Sequence, residues 1–298
     1  MDKNLMIPDG TVFEERAIVT KGQTDVIVGD HAQLHYGVIT QGRMFMGSRA
    51  IVTGNVEVGD DIRIDSWSSI DGDVSGGRDV HLGERVGIDG CLSVGRDLDV
   101  GDDVQLKGGF EAHGWINIRD PVPLVIYLFI YLIDLLGMGR GKEVEEILLE
   151  LEEEDEDILV GNDFLLIPAN AVVGLEHSTI PGGGAVGEDC KLLGNYSIGG
   201  PLTIGVDTSV YGTVRVTGDA TLGPGSLIYG DLWSDGNVSL GEGARVEGEV
   251  KAQGVEMYRS TVIKGEIRAS WVRIHPSETR VAIEKLEQYP NPNIEGML

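Results

Sequence analysis

Aliphatic residues recur at a fixed stride along most of this chain. Written in blocks of 18 from Gly29, residues 29–118 divide into five blocks without a gap. Position 6 holds Leu34, Val52, Ile70, Ile88 and Leu106, and position 10 holds Val38, Val56, Val74, Leu92 and Phe110. Position 16 holds Met44, Ile62, Val80, Leu98 and Ile116; position 18 holds Met46, Ile64, Leu82, Val100 and Ile118. Inward positions fall in pairs, at 4 and 6, 10 and 12, 16 and 18, with each pair six residues from the next. Alternation within a pair is the period of a β-strand. Three short strands with a corner after each make one triangular coil. Stacked coils pair their strands in parallel around an aliphatic interior. The pattern predicts a β-solenoid.

A second series of blocks begins at Gly187, Gly205, Gly223 and Gly241, and continues, slightly shortened, over residues 259–274. A weaker block over residues 169–186 precedes it, and residues 11–28 read as a frayed block before the first series. Two triangular β-helix domains of about six coils follow, each roughly 29 Å long at ~4.8 Å per stacked strand. The expected organisation is a first solenoid over residues 1–118, a linker over 119–168, a second solenoid over 169–274 and a tail over 275–298. Buried parallel strands favour β-branched residues and leucine. Corners require a left-handed or otherwise permissive backbone, which Gly, Asn and Asp tolerate.

The linker breaks the hexad pattern. Residues 122–136 are apolar apart from Pro123 and Asp134. As a helix they would span about 22 Å, short of a ~30 Å hydrocarbon core. An element apolar all round has no face to leave in water. It either packs between the solenoids or meets a membrane or partner through Leu124, Val125, Ile126, Tyr127, Leu128, Phe129, Ile130 and Tyr131. Val144, Ile147, Leu148 and Leu151 follow a helical stripe, so a helical hairpin is predicted. The acidic run over residues 152–157 reads as a solvated helix end or loop. One short helix is expected after Ile274. The fold class is all-β with a small α insert.

Charge narrows the range of partners. Net charge is −26, with 49 acidic against 23 basic residues. No basic stripe exists to displace counterions, so bare nucleic acid is not an expected partner. The acidic, lysine-poor composition suits a high-salt cytoplasm, where screening blunts self-repulsion. Cys91 and Cys190 make no disulfide framework. The first ten residues lack a long apolar run, so the expected compartment is the cytoplasm, with membrane association through the linker as the variant.

Two near-copies, "EVGDDIRI" at 57–64 and "DVGDDVQL" at 99–106, raise the question of an acidic metal or catalytic site. They lie 42 residues apart, which is seven hexads. Gly59 falls at position 13 of its block and Gly101 at position 1, on different corners. A shared site would need convergence, so the motifs read as corner chemistry. His31, His35, His81 and His113 occupy positions 3, 7, 17 and 13, sharing no column, while His177 and His275 belong to the second series and its exit. A hexapeptide-repeat acyltransferase or a related trimeric metal enzyme is the rival class, and needs a convergent base or three imidazoles. A cell-surface adhesin is a third. Neither a P-loop nor a dinucleotide fingerprint occurs. No catalytic residue, metal ligand or cofactor is predicted.

Solenoid ends carry unpaired backbone groups that template further strands. The expected assembly ends are Ile18, Val26 and Val28 on one side and Val262, Ile263, Ile267, Val272 and Ile274 on the other. The stretch "VSLGEGARVEGEVKAQGVEMYRSTVIKGEIRASWVRI", residues 238–274, resembles the bactofilins, a polymer-forming cytoskeletal family. "GSRAIVTGNVEVG" and "GDDVQLKGGFEAHG" in the first series repeat its spacing. The resemblance implies a right-handed triangular β-helix, end-to-end filaments formed without nucleotide, and a role in cell shape. Typical members have one solenoid; two solenoids with an acidic composition are similar to the archaeal relatives known as halofilins. The implied partner is the chain itself, with a membrane surface or another cytoskeletal protein as a second. The short apolar N-terminal membrane motif of some bacterial members is not clear, and residues 122–136 would substitute for it.

Overall fold

Strands in adjacent coils pair with partners 18 residues apart. Met44–Met46 lies beside Ile62–Ile64, followed by Val80–Leu82, Leu98–Val100 and Ile116–Ile118, all parallel and in register. The computed structural model describes residues 4–118 and 164–276. Every regular element among them is a β-strand, and the architecture is a β-solenoid with three strands per coil. The predicted inward positions are the buried ones: Val38, Met44, Val52, Val56, Ile62 and Ile88 are fully enclosed. Position 12 closes the second pair with Thr40, Val58 and Val94. Each enclosed aliphatic contributes about 1.5–3 kcal/mol of transfer free energy against ordering entropy.

The chain forms two compact units, and they are not the two stretches that the blocks predict. One unit comprises residues 19–169; the other joins residues 1–18 to residues 170–298. In the second unit Leu5–Ile7 pairs with Gly184–Val186, and Val12 pairs with Lys191. In the first, Phe164–Ile167 pairs with Asp25–Val28. The frayed block expected over residues 11–28 is therefore divided between the units. Residues 164–167, expected in a linker, are a strand of the first unit. The exchange is reciprocal: the second unit takes Leu5–Ile7 and Val12–Phe13 from the start of the chain, and the first takes Phe164–Ile167 from beyond its own run of coils.

Hexad columns could not have located these strands, because alternation specifies which side chains face inward and not which stack receives them. The two strands do share a signature. "LMIPDG" over residues 5–10 parallels "LLIPAN" over 165–170, and Gly10 and Asn170 are both left-handed, at φ 68 and 60. In each, proline ends the strand, lacking the N–H that would continue the ladder.

The corners are of two kinds. Position 3 is left-handed in every coil of the first series, at His31, Arg49, Trp67, Arg85 and Asp103, with φ between 54 and 66. Asp189, Asp207, Gly225 and Gly243 continue the rule in the second unit. Most of these residues carry a side chain, so the stack holds a conformation that costs a non-glycine residue about 1–3 kcal/mol. Glycines at positions 8 and 13 have another cause. A Cβ on Gly72 would sit 2.6 Å from the Gly54 carbonyl, and one on Gly77 would sit 2.8 Å from the carbonyl carbon of Gly59. The neighbouring coil's backbone leaves no room for a side chain there.

The predicted helical hairpin and the C-terminal helix lie outside the described residues. So does the acidic run over 152–157.

Candidate functional site: the terminal rungs

The paired aspartates of the GDD motifs have separate structural duties. The Asp61 carboxylate accepts the backbone N–H of Asp79 at 3.1 Å, Asp79 accepts that of Asp97 at 3.0 Å, and Asp97 accepts that of Trp115 at 2.8 Å. Asp25 begins this column by accepting the N–H of Arg43 at 2.9 Å while also pairing with its guanidinium. Asp60 accepts from Arg78 Nη1 at 3.0 Å. In the other motif, Asp103 occupies the left-handed corner, its carboxylate 3.5 Å from Arg85 Nε. The two motifs sit on different corners, as the hexad count requires.

Similar bonds bind the second unit. Asn195 accepts the N–H of Thr213 at 2.8 Å, Asp219 that of Asn237 at 2.7 Å, and Asp231 that of Glu249 at 2.8 Å. A charged acceptor for a backbone N–H is worth more than a neutral one. Part of the acidic composition is thus spent on joining coil to coil. Recurrence of Asp25, Asp61, Asp79 and Asp97 in one 18-residue column was the signal available in the sequence.

Three of the six histidines hold separate local partners. His81 Nδ1 lies 3.4 Å from Asp99, His113 Nδ1 lies 3.1 Å from the Val94 carbonyl, and His275 Nε2 lies 3.9 Å from Glu256. Among the described residues, no group of three or more His, Cys, Asp or Glu is placed to hold a metal ion.

Burial changes abruptly at the last rung of each unit. Along one inward column of the first unit, Leu98 is enclosed, while Ile116, on the next coil, is 46% exposed. Ile118 on that rung is 70% exposed. In the second unit Val255 is fully buried, and its partner Val272 is 45% exposed. Ile274 reaches 59%. These side chains continue columns that are core elsewhere, and among the described residues no further coil lies beyond them. Among the described residues, Gln105–Leu106, Phe110–Ala112 and Ile116–Ile118 pair along one edge only. Val262–Ile263, Ile267–Arg268 and Trp271–His275 do likewise. A free edge presents a row of backbone donors and acceptors able to take another strand.

The expected assembly residues divide accordingly. Val262, Ile263, Ile267, Val272 and Ile274 all lie on the second unit's terminal rung. Ile18, Val26 and Val28 do not lie at an end. All three are fully buried, and Asp25–Val28 is paired on both sides, by Met44–Met46 and by the exchanged strand Phe164–Ile167. Among the described residues, Gln105–Leu106, Phe110–Ala112 and Ile116–Ile118 carry the first unit's free edge instead; the block count does not single them out, because it treats their coil like the four before it. Leu124, Val125, Ile126, Tyr127, Leu128, Phe129, Ile130 and Tyr131 lie outside the described residues. No helix among the described residues is long and apolar enough to cross a membrane.

No protein-family model, curated protein or solved structure matches this chain.

Proposed function

We propose that this chain is a non-enzymatic structural scaffold of the bactofilin type that polymerises, without nucleotide, through the terminal rungs of its solenoid coils. The observation that carries the reading is the exposure of core columns on rungs whose outer edges are unpaired among the described residues. Burying such columns against another copy supplies a hydrophobic driving force, and strand addition supplies direction.

In this reading the chain is built of right-handed triangular solenoid coils. It acts in the cytoplasm of a halophilic archaeon and supports cell shape. The apolar segment at 122–136 gives it a place at the membrane surface or on another cytoskeletal protein. Electron microscopy of purified protein without nucleotide tests the proposal. Filaments or sheets are expected. A uniform monomer at high protein concentration refutes it, and turnover of acetyl-CoA would replace it with the acyltransferase reading.

A further inference from the structure

The two terminal rungs carry opposite charge. Over residues 259–275, Arg259, Lys264, Arg268 and Arg273 stand against Glu266, a net charge of +3 with the histidine neutral. Over residues 101–118, Asp102, Asp103 and Glu111 stand against Lys107, a net charge of −2. A basic rung is unexpected in a chain of net charge −26. Three of its four cations are anchored from beneath. Lys264 pairs with Glu247, Arg268 with Glu249 at 3.2 Å and Arg273 with Glu256 at 2.6 Å, each acid one coil further in. The cations therefore form the outermost layer. The first unit's rung shows the reverse order at Asp103, which lies outside Arg85.

Resting on the assembly reading above, we infer that the contact between copies is heterologous. The terminal rung of the second unit in one copy meets the terminal rung of the first unit in the next. Each rung placed on its own kind sets like charge against like charge, which costs affinity and disfavours that pairing. Each rung is also the C-terminal coil of its continuous run of coils, residues 29–118 in one unit and 187–275 in the other. Two stacks of one hand that meet there run their strands antiparallel, a geometry with well-aligned hydrogen bonds. A heterologous contact of this kind extends into an open polymer and does not close as a dimer.

Two end-blocked chains test the inference by sedimentation velocity, with circular dichroism to confirm the fold. Val272→Glu blocks the second unit's rung, and Ile116→Glu blocks the first unit's. Heterologous pairing leaves each variant monomeric alone, and a 1:1 mixture forms a heterodimer. Dimers of each variant alone overturn the inference while leaving self-assembly intact. A wild-type chain that stays monomeric defeats the assembly reading itself and would mean that the rungs are covered within the chain. Charge reversal gives an independent readout at exposed positions. Arg268→Glu should weaken assembly about tenfold, and Glu111→Arg added to the same chain should restore it. Absence of restoration counts against the pairing.

Discussion

Ile7 lies opposite Val186 in adjacent parallel strands, although 179 residues separate them in the chain. Both are enclosed in one aliphatic column of the second unit. The N-terminal strand is thus part of that unit's core, and the unit is incomplete without it. Cys190 lies nearby, its buried thiol donating to the Pro8 carbonyl at 3.1 Å. Burial pushes that thiol above its usual pKa. Ile7→Ala should destabilise the second unit by about 2–4 kcal/mol, as other buried large-to-small changes do. It should also speed labelling of Cys190 by a thiol reagent. Exposed Cys91 should label readily in either protein. Denaturant melts and labelling stoichiometry check both expectations. Unchanged Cys190 protection would contradict the exchanged strand.

The aspartate column makes a second prediction. Asp79→Ala removes the acceptor for the Asp97 N–H and should cost about 1–3 kcal/mol. Asp79→Asn keeps an oxygen at the same place and should recover most of the loss. Thermal melts of the two variants separate this backbone duty from a charge-dependent one, in which asparagine would fail as alanine does.

Glycines that look alike in the sequence should respond oppositely. Gly77→Ala drives a Cβ against the Gly59 backbone and should cost several kcal/mol, of the order of other overpacking changes, ~1–3 or more. Gly87 has nothing within 4 Å of an added Cβ. Gly87→Ala should be neutral or stabilising by up to about 1 kcal/mol, through the unfolded chain's lost freedom. Parallel urea melts decide the matter.

Alkaline stability should report on Tyr36. Its phenol is enclosed where later coils have glycine, and burial raises its pKa from 10.0 to about 12. The fold favours the protonated phenol, so this contribution is complete below pH 10 and is lost as pH rises from 10 towards 12. The loss should approach about 2–3 kcal/mol across that window, and Tyr36→Phe should lack it. The comparison is of unfolding free energy for the two proteins at pH 9 and pH 11.5. Parallel curves for both would contradict the assignment.

The sequence made the coils legible because burial repeats. Met44, Ile62, Val80 and Leu98 could be aligned by counting, and they pair in that register. Asp60 and Asp61 could be separated from Asp102 and Asp103 by the same count. The exchange of Leu5–Ile7 and Phe164–Ile167 was hidden, since an isolated alternating triplet satisfies either stack. Trp67 and Arg85 gave no sign of a left-handed corner, because the stack, and not residue preference, imposes that backbone; Arg85 lies over the Trp67 ring at 4.3 Å. At the candidate site, Val272 and Ile274 were legible as the last members of columns. Val26 and Val28 looked equally terminal, and only tertiary pairing with Leu165 and Ile167 encloses them.

Assembly through the terminal rungs is the central claim, and sedimentation velocity of the wild type beside Val272→Glu tests it most directly. Without nucleotide, the wild type should form species many times the 32.0 kDa chain mass, growing with concentration. The variant should keep its circular dichroism and fall to monomer or dimer. A wild type that remains at 32.0 kDa at every concentration, or a folded variant that polymerises equally well, would contradict the account.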